Sequence, residues 1–326
     1  MKSTYMLMLM ISLLLSVTSC KTNSSKAPAN SENVSVAISV PDFNADSAYH
    51  YIQTQVDFGP RVPNTKQHVA CGEYLAQKLE EYGAQVTNQY ADLIAFDGTI
   101  LKARNIIGSY NPENKKRILL FAHWDTRPWA DSDPDKNNHK KPVLGANDGA
   151  SGVGVLLEIA RLINQEAPAL GIDIVFFDAE DYGQSGGGSS DSWCLGSQYW
   201  SRYPHVQNYN ARYGILLDMV GGKDATFYKE GYSEKYAKHI NKKVWKKARE
   251  LGYGKYFIDK ETGYIIDDHW PVNEIARIPS IDIVPNDDLT GFGEFWHTVN
   301  DTMDNIDRAT LKAVGQTVLS VIYEEK

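Results

Sequence analysis

Apolar residues recur along the chain with two spacings. A three-to-four-residue spacing, the period of an amphipathic helix, runs through 45–57, 65–82, 150–166, 233–251 and 307–323. Between these segments lie short unbroken apolar runs: Arg117–Ala122 (RILLFA), Ile172–Phe177 (IDIVFF), Gly214–Leu217 (GILL) and Ile281–Val284 (IDIV). Such runs, bounded by polar turns, suit strands covered on both faces. Two further strands are predicted at 84–96 and 99–109, flanking Asp97-Gly98, a dipeptide suited to a hairpin turn. Helices alternating with apolar strands predict an α/β fold: a single domain with a central, mostly parallel twisted sheet flanked by helices.

The first twenty residues follow a different pattern. Lys2 supplies a positive start, and residues 5–17 (YMLMLMISLLLSV) are almost wholly apolar, too short a run for a comfortable permanent span. Val17-Thr18-Ser19-Cys20 resembles a bacterial lipobox, the signal at which a cysteine is lipidated. These features predict a lipoprotein signal peptide over 1–19, a lipidated Cys20 with a flexible tether over 20–42, and one folded domain over 43–326. The expectation is an exported protein facing the periplasm, in touch with the membrane only through its anchor. Cys71 and Cys194 are left to pair as a disulfide or to stand separately as small buried apolar residues.

Composition narrows the function classes. With 42% hydrophobic and 23% charged residues, the chain of 326 can bury a sizeable core. Acidic residues outnumber basic ones, 41 to 33, for a net charge of −8, which argues against nucleic acid as a partner. Three cysteines are too few for a thiolate zinc cluster.

The chemistry gathers where the apolar runs end. RILLFA leads into His123-Trp124-Asp125, IDIVFF into Asp178-Ala179-Glu180-Asp181, and GILL into Asp218. Asp148 precedes the 150–166 helix in GANDGASG; Asp267-Asp268-His269 and Trp296-His297-Thr298 complete the set. Ligands of open α/β sheets bind beyond the carboxyl ends of the strands. Several carboxylates converging there repel one another and lose hydration, which a bound cation relieves. Asp, Glu and His without thiolate form the oxygen and nitrogen donor set of a catalytic zinc site.

HWDT, GANDGASG, FFDAED, LLD, DDH and FWHT, in this order, resemble the zinc-dependent aminopeptidase superfamily and, more closely, its glutaminyl-peptide cyclotransferase branch. The resemblance covers nearly the whole chain from about residue 45. It implies one zinc ion held by Asp148, Asp181 and His297, with Asp181 standing where the family usually has Glu. It implies Glu180 as general acid/base, and Asp218 and Asp267 as acidic residues hydrogen-bonding around the site. Asp282 stands where animal cyclases carry a histidine. Trp296 and Ile265, and more loosely Trp193, correspond to walls of the glutamine pocket. The implied reaction is cyclisation of N-terminal glutamine of peptides and proteins to pyroglutamate with loss of ammonia. A monomer is expected. Two-zinc aminopeptidases of the superfamily share most of these residues; in that alternative His123 and Asp218 hold a second zinc and Glu180 activates water.

Other features are read as structural. Trp124, Trp200 and Trp245 are assigned to packing, and Trp129 and Trp270 are left undecided. His50, His68, His139, His205 and His239 have no acidic partner in sequence and are expected at the surface. His269 either orients Asp267 or caps a turn. Asp131–Asp135 reads as a solvated loop and 242–249 (KKVWKKAR) as a solvated helix face.

Overall fold

The five periodic segments fold as helices: α1 (Ala45–Asp57), α2 (Lys66–Glu81), α3 (Ala150–Gln165), α5 (Gly231–Glu250) and α7 (Arg308–Glu324). Side-chain caps fix their starts. Asn44 accepts from Asp46 and Ser47, Thr65 from His68, and Asp307 from Ala309 and Thr310. Two short helices, α4 (Leu195–Arg202) and α6 (His269–Glu274), have no counterpart in the periodicity; at 8 and 6 residues they are too short for a period to register. The computed structural model describes residues 39–187, 189–287 and 291–326. The predicted signal peptide, Cys20 and most of the predicted tether lie outside the described residues. No helix among the described residues is long and apolar enough to cross a membrane.

The apolar runs become β3 (Arg117–His123), β4 (Gly171–Phe177), β5 (Gly214–Leu217) and β8 (Ser280–Ile283), and the hairpin becomes β1 (Gln85–Ile94) and β2 (Ile100–Tyr110). They form one sheet in the order β1-β2-β4-β3-β5-β8. The pairings among β4, β3, β5 and β8 are parallel; β1–β2 and β2–β4 are antiparallel. A separate two-stranded parallel ribbon joins β6 (Phe227–Lys229) to β7 (Phe257–Glu261), which sequence periodicity does not reveal.

Alternate residues of β3 explain why its run is unbroken. Ile118, Leu120 and Ala122 join a large core with α1, α2, α3, α5 and α7, while Leu119 and Phe121 join a second with Trp200 of α4 and Val272 of α6. Trp124 and Trp245 are likewise buried, as expected. Helix α3 lies so close to the sheet that a Cβ on Gly152 would sit 2.0 Å from the Leu217 carbonyl oxygen. That contact holds the loop carrying Asp148 over the ends of β3 and β5.

Several surface assignments are corrected. His68 is buried, with Nε2 2.9 Å from both Asp178 oxygens and its ring stacked on Trp124. The His205 side chain is only 3% exposed, and its Nδ1 accepts from the Trp200 indole. Asp178 lies 110 residues from His68, so no local pattern announces that burial, whereas Trp200 is only five residues before His205. His50 and His239 are exposed, and His139 is half-buried. Cys71 and Cys194 are both buried and free, which settles the disulfide question against pairing.

Candidate metal centre and active site

Each of the three central parallel strands delivers a charged group at its carboxyl end. His123 closes β3, Asp178–Asp181 follow β4, and Asp218 follows β5. Asp148 arrives on the loop before α3, Asp267 just before α6, and His297 on the loop before α7. Two further carboxylates brace the backbone. Asp125 accepts the amides of Glu180 and Asp181 at 3.1 and 3.2 Å, and Asp301 accepts those of Asn147 and Asp148 at 2.7 and 3.0 Å. Ala179, Cys194, Met219 and His297 adopt left-handed φ of 50–58°. Each such non-glycine residue costs of order 1–3 kcal/mol and persists only where surroundings over-determine it.

Asp148, Asp181 and His297 converge, one donor atom of each lying within 4.8 Å of the others. His297 Nε2 is 3.1 Å from Asp181 Oδ1 and 3.5 Å from Asp148 Oδ2. Both Asp181 oxygens are buried without a hydrogen-bond partner. Orphaned buried carboxylate oxygens are rare in folded proteins because they forfeit hydration without compensation. A cation bound by two carboxylates and an imidazole removes the deficit, so the residues fit a zinc ion.

A second group joins His123, Asp148 and Asp218. His123 Nε2 lies 3.0 Å from Asp148 and 3.2 Å from Asp218. Burial opposes the charge on Asp148, but the hydrogen bond from His123 and the positive charges of His123 and His297 hold its carboxyl below the usual range. Burial and the neighbouring Asp267 charge push Asp218 up to about 7.

Glu180 sits beside these groups, also fully enclosed. Burial, followed by the charges of Asp267, Asp181 and Asp268, drives its carboxyl well above the ordinary value despite the opposing charge of His123. The Cys194 thiol donates to its Oε1 at 3.3 Å. Behind Asp267, Asp282 is buried with neither oxygen hydrogen-bonded, and burial together with Asp267 and Asp218 raises it strongly. His269 neither orients Asp267 by a hydrogen bond nor serves as a turn cap. Its Nε2 pairs with Glu230 at 2.8 Å, while its Nδ1 faces Asp282 at 3.7 Å.

The carboxylates open into a cavity of about 490 Å³ whose lining includes Asp148, Glu180, Asp181, Asp218, Asp267 and His297. Its apolar walls are Ile265, Phe292, Trp296 and Trp193. Both tryptophan rings lie nearly parallel to the His297 imidazole, Trp296 at 3.8 Å and Trp193 at 6.1 Å between centroids. Trp193 therefore reaches the site even though the loop preceding it gives only a loose sequence match. Trp129 packs instead on Phe96 and Tyr182, and Trp270 lies in the first turn of α6.

The loop 131–135 is not merely solvated. Asp131 pairs with the buried guanidinium of Arg127 and faces His297 Nδ1 at 3.5 Å, and Asp133 accepts the Val299 amide. Arg127, Asp131, Asp301 and Cys194 are the supporting residues that sequence reasoning misses. Arg127 and Asp131 stand in plain view in HWDTRPWAD, but their partners come from other loops. Asp301 and Cys194 carry no pattern at all.

Comparisons with known proteins agree with this geometry. The pattern of Peptidase family M28 matches residues 105–322. Glutaminyl cyclase of Bacteroides thetaiotaomicron, solved bound to N-acetylhistamine, is 70% identical and superposes with a TM-score of 0.87, covering 88% of this chain and all of that one. Glutaminyl-peptide cyclotransferase of Drosophila melanogaster is 26% identical over 275 residues, 77% of this chain and 73% of that protein. Aminopeptidase YwaD of Bacillus subtilis is 26% identical over 276 residues, 81% of this chain but only 54% of that protein's length.

Proposed function

Because the chain belongs to peptidase family M28, we propose that it cyclises the N-terminal glutamine of peptides and proteins to pyroglutamate, releasing ammonia, with one zinc ion held by Asp148, Asp181 and His297. The observation that carries this reading is the aromatic wall. Trp296 and Trp193 flank the ligand histidine in a cavity that Ile265 and Phe292 complete. Such a wall packs against the methylene stem of glutamine and keeps bulk water away from its amide. The 70% identity to a protein described as a glutaminyl cyclase supports it.

The reaction asks little covalent chemistry of the protein. The substrate's α-amine attacks its own γ-amide carbon; the new C–N bond forms, the amide C–N bond breaks, and one proton passes from the amine to departing ammonia. Folding the side chain back on itself supplies proximity, worth up to about 7–11 kcal/mol in well-oriented cases. Glu180 carries the proton: its elevated affinity for one makes it a base for the amine and then an acid for the leaving nitrogen. The thiol of Cys194 fixes one Glu180 oxygen and leaves the other for the substrate. Asp218 and Asp267 line the same cavity as Glu180 and offer carboxyl oxygens to the substrate's α-amino group. Zinc, when bound, supplies Lewis-acid polarisation of a carbonyl oxygen.

The grouping of His123 with Asp148 and Asp218 favours one other reading, a two-zinc aminopeptidase. A Gln-initiated and a Leu-initiated peptide, given side by side to the zinc-loaded protein, separate the two. Ammonia release with the peptide chain intact is the expected result. Release of the first residue as a free amino acid overturns it and calls for a second zinc at His123 and Asp218. By the pattern of residues 1–20, we also propose an exported protein tethered through a lipid on Cys20; a monomer is proposed with it, and the net charge of −8 argues against a nucleic-acid partner.

A further inference from the structure

We propose that Arg127 and Asp131 are positioning residues that set the zinc ligand His297 and the substrate wall Trp193 as one unit, an inference that rests on the metal and pocket assignments above. The Arg127 side chain is 1% exposed, and its partners belong to the active-site loops. Nε and Nη2 grip the Asp131 carboxylate at 3.1 and 2.6 Å, Nη2 also donates to Ser185 Oγ at 2.8 Å, and Nη1 donates to the carbonyl oxygens of Asp181 and Gly183 at 2.9 and 2.8 Å. The guanidinium carbon lies over the Trp193 ring, 4.7 Å from its centre. Asp131 in turn puts Oδ1 3.5 Å from His297 Nδ1, a buried nitrogen with no hydrogen-bond partner.

The chemistry of that orphan nitrogen gives the pair its role. His297 turns Nε2 toward Asp181 and Asp148, which leaves Nδ1 as the ring's donor, facing the Asp131 carboxylate at 3.5 Å. A carboxylate behind a ligand histidine fixes the ring's tautomer and orientation and raises its basicity. The bidentate fork of arginine holds that carboxylate in plane, while its flat face pins an indole that lysine's point charge would not stack. One buried cation thus ties the backbone of Asp181, the ring of His297 and the wall of Trp193.

The test measures zinc affinity by chelator competition on substrate-free protein, alongside the thermal midpoint and kcat and KM at saturating zinc. Asp131→Asn is expected to weaken zinc about 10- to 100-fold, the usual cost of losing such a partner. Arg127→Lys is expected to raise KM about 5- to 10-fold through the loosened indole. Ser185→Ala, at an exposed position, keeps the question open to measurement if the buried variants do not fold; a KM increase of about twofold is expected for one lost hydrogen bond. Parental zinc affinity in Asp131→Asn together with parental KM in Arg127→Lys overturns the proposal. So does a parental KM in Ser185→Ala should the other two fail to fold. A merely structural clamp lowers the thermal midpoint and leaves the zinc competition unmoved. Failure of the cyclase reading shows separately, as parent protein that releases no ammonia from a Gln-initiated peptide while the zinc measurement still reads the clamp.

Discussion

Strand β4 carries buried aspartates toward both ends of the sheet, and the two ends treat them in opposite ways. Asp173, near its start, is fully buried and fully answered. Arg117 reaches it with two nitrogens at 2.5 and 2.8 Å, and the hydroxyls of Ser109 and Tyr209 add bonds of 2.6 Å each. Asp181, just past its end, is equally buried, yet neither oxygen has a hydrogen-bond partner. Around it, burial and like charges drive Glu180, Asp268 and Asp282 well above the ordinary carboxyl range. The same residue type at the same depth is a structural tie at one end and an open valence at the other. Burial of a carboxylate therefore does not mark a site; burial without an answering group does.

Substitutions at the two ends should separate them. The largest effect is expected from Glu180→Gln, which should lower kcat by about 10²–10⁴-fold, the span of general acid–base contributions, while zinc content stays at the parental level. Full activity in that variant would remove Glu180 from its role. At the other end, Arg117→Met strands the Asp173 charge and should cost about 3–5 kcal/mol of stability in denaturant titration, with activity per folded molecule unchanged. A variant as stable as the parent would mean that Asp173 is not held as described. Asp181→Asn sharpens the contrast: it should abolish zinc binding yet cost the metal-free protein less stability than Arg117→Met, since it deletes a buried carboxylate whose oxygens accept no hydrogen bond and whose charge is met only by the His297 and Arg127 ion pairs at 3.1 and 3.8 Å. Parental zinc content in that variant would take Asp181 out of the ligand set.

The smallest effect is a matter of pH. In the metal-free protein, burial and neighbouring charge raise Asp218 and Asp301 each to about 7, from an ordinary 3.8. The folded state then binds more protons than the unfolded one between those values, so stability falls as pH rises through 7. The thermal midpoint of chelator-treated protein should be lower at about pH 8 than at about pH 5, and added zinc should shrink the difference by binding only the folded form. A midpoint of the metal-free protein that climbs with pH over this range would contradict the assignment.

Much of the fold is legible in the order of residues alone. The periods of 45–57, 65–82 and 150–166 return as α1, α2 and α3, and the runs RILLFA and IDIVFF return as β3 and β4, because helix and strand periods are local properties of the chain. The positions of Glu180, Asp181 and Asp218 are legible for a related reason, whereas Asp148 and His297 are singled out by the family resemblance. A parallel sheet gathers its strand ends on one edge, so residues following apolar runs must meet there. What the sequence does not contain is the pairing of distant groups. His68 has the local setting of a surface residue, yet Asp178, 110 positions away, lies against it. Asp131 has the setting of a solvated loop, yet Arg127 turns back on it and His297 closes over it. Asp301 carries no motif, yet it braces the amide of Asp148, 153 positions earlier. Sequence by itself determined the five long helices, the six strands of the main sheet and which chemical groups stand at their ends. Only the tertiary structure decided which buried charges are answered by a neighbour and which are left for a metal and a substrate, because that depends on through-space contacts a few ångströms long between residues the chain keeps far apart.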